Sequence, residues 1–241
     1  MAKGIFVTAT DTGVGKTVAT AAIVAGLMRC GIKTGIMKPV ETGCVMNDGV
    51  LGPSDGRFLK AISGMDDPLE LVVPVRFESP LAPYVAAGRE GVSVDLLKIF
   101  ESYKQLSGKY EFMVVEGIGG VLVPVAKVET AKGRCIYFVT DLIKDLGLAA
   151  VVVARPALGT LNHTLLTVSQ LLSEGIDVKG VIVNFNAPPD GSVAEKTNTE
   201  ALRELCPVPV IGVIPYMTDL SALTIETATA GCLNLEVLIR H

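Results

Sequence analysis

Six short, nearly uninterrupted apolar runs are the feature that most restricts the fold of this 241-residue chain. Runs of this kind, without regular polar alternation, are typical of strands buried on both faces of a parallel sheet. The runs lie at residues 5–8, 34–37, 112–115, 148–154, 178–183 and 208–214.

Longer segments with helical spacing separate these runs, at residues 16–30, 55–63, 93–106, 137–146, 161–173 and 193–205. Gly31 and Gly64 follow two of them as stop signals, and Ser93 is a candidate N-cap. Alternating strands and helices predict an α/β fold, with an open, doubly wound, mostly parallel sheet flanked by helices, as in P-loop NTPases. Because no repeat, low-complexity block or Pro/Ser-rich linker divides the sequence, we expect residues 1–241 to form one domain.

Composition excludes several classes of partner. Apolar residues make up 49% of the chain, but the apolar stretches are far shorter than the roughly 20 residues of a membrane span. A net charge of -4 and the lack of a basic patch argue against nucleic acid. The N-terminus runs directly into the first apolar segment without the pattern of a signal peptide, so we expect a cytoplasmic protein.

Cysteine usage agrees with a reducing compartment. The five cysteines are scattered, odd in number and never spaced as C-x-x-C, and there are only two histidines. This pattern gives little support to a structural zinc site. We interpret the cysteines as small packing groups, including Cys44, which falls in a loop near the candidate site.

The loop after the first apolar run carries the strongest functional signal. Ligands of such sheets bind outside the carboxyl ends of the strands, and residues 10–17 read TDTGVGKT at that place. This sequence satisfies G-x-x-x-x-G-K-[ST] except that Thr10 replaces the first glycine. Gly13 and Gly15 would let backbone amides surround phosphate oxygens, Lys16 would neutralise phosphate charge, and Thr17 would offer a hydroxyl to Mg²⁺.

Three further charged residues follow predicted strands or loops. Lys38 ends the second apolar run beside Pro39, and could stabilise a transferring phosphoryl group or be an ordinary solvated lysine. Asp55 opens a predicted helix, where it could favour the helix N-terminus or bind magnesium. Glu116 ends a run of four apolar residues, as the acid of a Walker-B strand does, and glycines follow it.

These motifs, taken in order, resemble the dethiobiotin synthetase family. The matching segments are TATDTGVGKT, KPVETG, an aspartate after a variable loop, VVEGIGG and LGTLNH, and the similarity extends from residue 5 to at least Tyr216. Members of that family use MgATP and CO₂ to close the ureido ring of dethiobiotin from 7,8-diaminononanoate. The resemblance implies a carbamate, its phosphorylation to a carbamic-phosphoric anhydride, and ring closure with release of ADP and phosphate.

The resemblance also assigns roles to residues. It implies catalytic roles for Lys38, Lys16 and Thr12, and magnesium ligands at Thr17, Asp55 and Glu116. It implies contacts with the amino substrate at Thr42, Gly119, Gly120 and Asn162. The implied ATP contacts are Gly13, Val14, Gly15, Lys16, Thr17, Val18, Asp55, Glu116, Gly117, Ile118, Gly119, Asn184, Phe185, Pro215 and Tyr216.

A homodimer is implied as well, because residues 158–163 resemble a segment that reaches the other subunit's substrate. We expect His163, the only internal histidine, to have a structural or interface role. At position 13 this chain has glycine, where some members of the family have glutamate.

Three alternative functions remain at this point: a partitioning or cell-division-type ATPase switch, a related synthetase acting on a cobalamin precursor, and a pure binding module. Such switches typically carry a further lysine near Asp11, and this chain has none there.

Overall fold

The computed structural model describes residues 3–130 and 133–239. Twelve strands lie within these residues: β1 (Lys3–Ala9), β2 (Thr34–Met37), β3 (Val40–Thr42), β4 (Val45–Asn47), β5 (Val50–Gly52), β6 (Val75–Phe77), β7 (Phe112–Gly120), β8 (Pro124–Thr130), β9 (Gly133–Phe138), β10 (Ala149–Ala154), β11 (Val178–Asn184) and β12 (Val210–Ile214). The helices of the same residues are α1 (Lys16–Arg29), α2 (Ser54–Ser63), α3 (Leu69–Val72), α4 (Pro83–Glu90), α5 (Leu96–Ser107), α6 (Val139–Leu146), α7 (Thr160–Ser173), α8 (Val193–Leu205), α9 (Ala222–Thr229) and α10 (Glu236–Ile239).

A six-stranded parallel sheet forms the centre of the fold, in the order β12-β11-β10-β1-β7-β2. The middle of β1 and of β10 is fully buried, as expected for strands covered on both faces. After β1 the chain moves to β2 on one side of the sheet and later to β10, β11 and β12 on the other. The carboxyl end of β1 therefore lies at a topological switch point, and the predicted doubly wound fold is confirmed.

Smaller two-stranded units accompany the main sheet: β3 with β6, β4 with β5, and β8 with β9. These strands are not predicted from the apolar pattern of the sequence, because each is short or lies in a polar segment. The β4–β5 hairpin turns at Asp48 and Gly49, both with positive φ (49° and 78°), as a two-residue type I′ turn requires. This hairpin connects β3, which ends at Thr42, to α2, which contains Asp55.

Two predicted helix boundaries are wrong. The fifth helix is capped by Asp95 rather than Ser93, because the Asp95 Oδ1 atom accepts a bond from the Lys98 backbone N–H at 2.9 Å. The segment predicted as a helix over residues 137–146 begins two residues late. Tyr137 and Phe138 belong to β9, since they pair with β8, and α6 starts only at Val139.

Two strands extend further than predicted. The strand that carries Glu116 continues to Gly120, so this carboxylate lies inside β7 and not after its end. Asn184 is likewise the last residue of β11. Across residues 3–130 and 133–239, no helix combines the length and the apolar character needed to cross a membrane.

Candidate functional site

A cavity of about 300 Å³ lies at the carboxyl end of the sheet and collects most of the predicted site residues. It lies where β1, β2 and β7 end, at the switch point of the fold. Its lining consists of Thr12, Gly13, Gly15, Lys16, Thr17, Lys38, Glu41, Thr42, Asp55, Glu116, Ile118 and Gly119. The predicted phosphate loop, both lysines and the three predicted metal ligands therefore share one cavity.

The phosphate loop has the backbone shape that anion binding requires. Gly13 and Gly15 have φ values of 74° and 90°, in the left-handed region that glycine adopts without a Cβ clash. Gly15 is the N-cap of α1, so the helix dipole and its free N–H groups point into the cavity from Lys16 onward. The Thr10 backbone N–H donates to the Val153 carbonyl at 3.0 Å, which ties the start of the loop to β10.

Two asparagine side chains at the end of β11 hold the phosphate loop from the other side. Asn184 Nδ2 donates to the Val14 carbonyl at 2.9 Å, and Asn186 Nδ2 donates to the Gly13 carbonyl at 2.8 Å. A Cβ atom on Gly15 would lie 2.1 Å from Asn184 Nδ2, so glycine is required there for this close approach. This role of Asn186 was not predicted from the sequence.

Lys38 lies between two carboxylates. Its Nζ atom is 2.6 Å from Asp55 Oδ2 and 2.5 Å from Glu116 Oε1. The Thr17 hydroxyl donates to the same Glu116 Oε1 atom at 2.9 Å. Lys38 is 4% exposed and Glu116 is fully buried. The structure thus removes the alternative of a solvated lysine.

Burial and neighbouring charges act differently on the two lysines. Burial lowers the pKa of Lys16 to about 8, although nearby Glu116 partly offsets this effect. Burial alone would also lower the pKa of Lys38, but Glu116 and Asp55 outweigh it and raise that pKa above its ordinary value. Lys38 is therefore a fixed cation in the free protein, whereas the charge of Lys16 is more easily lost.

The oxygen atoms around Lys38 could bind a divalent cation that also has phosphate ligands. Glu116 Oε2 is buried and has no hydrogen-bond partner among the described residues, which leaves an acceptor for a cation. Thr17 Oγ1 and the Asp55 carboxylate supply further oxygens, the ligand type that Mg²⁺ prefers. Within the described parts of the chain, no group of three or more His, Cys, Asp or Glu side chains could hold a metal ion unaided.

Glu41 is a cavity residue for which sequence reasoning found no role. Its carboxylate is 3% exposed and accepts bonds from the first turn of α2, which carries Asp55. Burial raises the pKa of this carboxyl group, although the Gly56 and Asp55 backbone N–H groups partly offset the effect. The sequence signal that could have identified Glu41 is an acidic residue directly after an apolar one, Val40, which the structure shows to be buried.

Several predicted site residues lie outside the cavity. Val14 is buried in the core, and a Cβ on Gly117 would lie 2.5 Å from the Phe6 ring, so packing requires a glycine there. Asn162 is exposed on α7. The residues predicted here that do not line the cavity are Val14, Val18, Gly117, Gly120, Asn162, Asn184, Phe185, Pro215 and Tyr216.

A second cavity, of about 460 Å³, shares Thr12 with the first. Gly120 lines it, as do Leu122 and Leu166, whose side chains are largely exposed. Leu158, before α7, is 87% exposed. His163 is exposed on the same helix and lines neither cavity.

A sequence-family model described as an AAA domain matches residues 3–224. The MinC:MinD cell division protein complex of Aquifex aeolicus contains a similarly folded chain, with a TM-score of 0.53 at 19% identity, over 95% of this chain and 86% of that chain. At this identity the similarity concerns the fold alone.

Curated relatives are much closer in sequence. The ATP-dependent dethiobiotin synthetase of Thermodesulfovibrio yellowstonii is 46% identical over 239 residues, which cover 99% of each chain. That of Methanocaldococcus jannaschii is 39% identical over 219 residues, covering 89% of this chain and 95% of the relative. These identities over nearly the whole length confirm the resemblance carried by the motifs, and the chain belongs to the dethiobiotin synthetase family.

Proposed function

We propose that this protein is an ATP- and Mg²⁺-dependent cyclo-ligase that forms dethiobiotin from 7,8-diaminononanoate and CO₂. In this reaction one substrate amine takes up CO₂ as a carbamate and releases a proton. A carbamate oxygen attacks the γ-phosphorus of ATP, which gives a carbamic-phosphoric anhydride and ADP. The second amine then attacks the carbamate carbon, expels phosphate and closes the ring.

The observation that carries the proposal is the arrangement of two lysines and two carboxylates in one cavity, in a chain of this family. Lys16 and Lys38 both line the cavity that Asp55 and Glu116 line. The reaction must bring together a carbamate and a triphosphate, which are both anions. Two lysine side chains, when both are protonated, offset that repulsion and stabilise the charge that develops during phosphoryl transfer.

ATP binding is supported by the phosphate loop and by Asn184. The loop amides and Lys16 would hold the β- and γ-phosphates. The Asn184 amide nitrogen donates to the Val14 carbonyl, and Asn184 Oδ1 is buried without a partner among the described residues. An acceptor of this kind is suited to the amino group of adenine. Phe185 follows Asn184 at the end of β11, and Pro215 and Tyr216 follow the end of the neighbouring strand β12.

Thr17, Asp55 and Glu116 would hold Mg²⁺, which supplies positive charge to the phosphates when it is bound. In the free protein, Lys38 bonds to both carboxylates. Release of at least one carboxylate frees the Lys38 ammonium to donate to the carbamate and the transferring phosphoryl group. Lys38 thus acts on the carbamate and the transferring phosphoryl group, and Lys16 acts on the β- and γ-phosphates of ATP.

The diamine would lie on the side of the cavity formed by Thr12, Thr42 and Gly119. A hydroxyl at Thr42 and backbone amides near Gly119 can orient an amine or a carbamate.

We infer a homodimer in which the second subunit covers Leu122 and Leu166, which are exposed beside Thr12. Asn162 would reach the substrate of the other subunit across this interface. Size measurement by light scattering tests this, since Leu166→Glu should yield monomers.

We place the reaction in the cytoplasm. All five cysteines are free, which suits a reducing compartment. The proposed reactants are small molecules, namely diaminononanoate, CO₂ or bicarbonate, and ATP. No membrane or nucleic-acid partner enters the proposal.

The proposal is tested by incubating the protein with ¹⁴C-bicarbonate, diaminononanoate and MgATP. We expect labelled dethiobiotin in equal amounts with ADP and phosphate. Lys38→Ala should still bind ATP but lose at least about a hundredfold in turnover, because it lacks a charge that stabilises the transition state. Lys144→Ala, which removes an exposed lysine outside the cavity, is the control and should keep full activity. ATP hydrolysis without labelled product would refute the proposed reaction.

A further inference from the structure

Glu41 is a buried carboxylate for which the proposed reaction has no direct use. Its Oε1 atom accepts bonds from the Asp55 backbone N–H at 3.0 Å and from the Ser54 hydroxyl at 3.3 Å. Its Oε2 atom accepts from the Gly56 backbone N–H at 2.9 Å. Three donors from the start of α2 therefore converge on one side chain of β3, which offsets much of the cost of burying it.

The first turn of α2 depends on this contact. The N-cap position of α2 is Pro53, and no side chain among its own N-terminal residues caps the helix in the described structure. An uncapped helix end leaves free N–H groups that need partners. Glu41 supplies them from a separate strand, 14 residues before Asp55 in the chain, and its negative charge also complements the helix dipole.

Close packing at Gly56 confirms how tightly the helix start is held. A Cβ atom on Gly56 would lie 2.0 Å from Val73 Cγ2 and 3.5 Å from Glu41 Oε2. The contact with Val73 therefore requires glycine at this position, and the Glu41 carboxylate lies at ordinary contact distance beside it. Since Asp55 directly precedes Gly56, the position of its carboxylate, 2.6 Å from Lys38 Nζ, follows from how α2 begins.

We propose that Glu41 is a positioning residue, which holds the first turn of α2 so that Asp55 faces Lys38 and the Mg²⁺ site. This inference rests on the proposed function, because it takes Asp55 as a ligand of Mg²⁺. Glu41 itself contacts neither the metal nor the substrates in this role.

Calorimetry on the full chain measures the dissociation constant of ADP once in EDTA and once in Mg²⁺. The magnesium ratio is the value in EDTA divided by the value in Mg²⁺, so a larger ratio means that Mg²⁺ strengthens ADP binding more. In Glu41→Gln one acceptor oxygen becomes an amide nitrogen, which meets a backbone N–H without bonding to it. We expect this variant to bind ADP in EDTA normally and to lose roughly tenfold in the magnesium ratio, as loss of an outer-shell partner typically causes.

Two further variants separate positioning from a general structural effect. Asp95→Ala removes the carboxylate that caps α5, away from the cavity, and should leave the magnesium ratio unchanged. Asp55→Asn should lower the ratio, and adding Glu41→Gln in that background should cause no further loss, because both changes act through Asp55. Glu41→Gln keeps the volume of the side chain, so it should fold even if Glu41→Ala does not.

The inference is overturned if Glu41→Gln stays within twofold of the unsubstituted protein, if its effect persists in the Asp55→Asn background, or if Asp95→Ala lowers the ratio equally. Failure of the proposed function gives a different result. An unsubstituted protein that forms no labelled dethiobiotin, but shows the expected pattern of magnesium ratios, would refute the reaction and leave the role of Glu41 intact.

Discussion

Replacing Lys38 by alanine probes the charge balance of the site in the absence of any ligand. The substitution removes the ammonium that lies 2.5 Å from Glu116 Oε1, in a place where Glu116 is fully buried. Glu116 would then keep the Thr17 hydroxyl as its remaining donor within the described residues, since its Oε2 atom already lacks a partner. The variant therefore leaves a buried carboxylate with too little compensation.

The expected cost is about 3–5 kcal/mol in the free energy of unfolding, the range for removing one partner of a buried ion pair. Urea unfolding at pH 7 in EDTA measures it, and Lys144→Ala gives the comparison. Lys144 lies 2.8 Å from Glu174 with 40% of its side chain exposed, so its loss should cost about 1 kcal/mol or less. Mg²⁺ with ADP should recover part of the Lys38→Ala deficit, because a bound cation supplies the missing charge.

A loss below about 1 kcal/mol for Lys38→Ala would refute this reasoning, because the ion pair would then stabilise the fold no more than an exposed one does. A stability loss of about 3–5 kcal/mol that Mg²⁺ and ADP leave unchanged would contradict the assignment of the carboxylates to the metal.

The pH dependence of the free energy of unfolding is a second check. The raised pKa of Lys38 means that its stabilisation is complete below the ordinary lysine value of 10.5 and is lost only above it, as pH rises through the still higher folded value.

Four other substitutions have defined outcomes. Thr17→Val should weaken Mg²⁺-dependent ADP binding by roughly tenfold while binding in EDTA changes little, as calorimetry can show. Gly15→Ala should abolish ADP binding because its Cβ would meet Asn184, whereas Gly13→Ala, with no described atom within 4 Å, should incur only the left-handed backbone strain of about 1–2 kcal/mol. Asp67 is a buried carboxylate away from the site, and it accepts bonds from Lys109 Nζ and from the Tyr110 hydroxyl, each at 2.5 Å. Asp67→Asn should lower the free energy of unfolding at pH 7 by about 1–3 kcal/mol. Burial alone would raise the pKa of Asp67, but bonds from a lysine and a tyrosine lower it, so the deficit measured in urea should shrink as pH falls below 3.8.

The central sheet could be predicted from the sequence because burial on both faces leaves a local signature. Each of the six apolar runs became a strand of the main sheet, and the position of Lys38 after β2 follows directly from that pattern. The phosphate loop was equally local, since a strand, two glycines and a helix start are adjacent in the chain. Lys38 and Glu116 line one cavity because β2 and β7 are neighbours in the sheet, whereas Asp55 reaches that cavity from the start of α2.

The remaining features depend on contacts between distant residues. Glu41 caps a helix that begins 13 residues later, and no propensity or spacing rule reports such a contact. Tyr137 looked helical because the apolar periodicity of α6 extends back over it, but pairing with β8 placed it in a strand. Ser93 and Asp95 are both good N-caps, and the hydrogen bond to Lys98 decides between them.

The bonds from Glu41 to the start of α2 also close the chain segment that contains the β4–β5 hairpin. With both ends of residues 42–53 fixed to each other, the conformation of the site does not depend on the tip of the hairpin. The turn at Asp48 and Gly49 is exposed, and among the described strands β4 and β5 pair only with each other. A short tag or a fluorescent reporter inserted there would lie between Thr42, a proposed substrate contact, and Asp55, a proposed metal ligand, yet should leave the geometry of both intact.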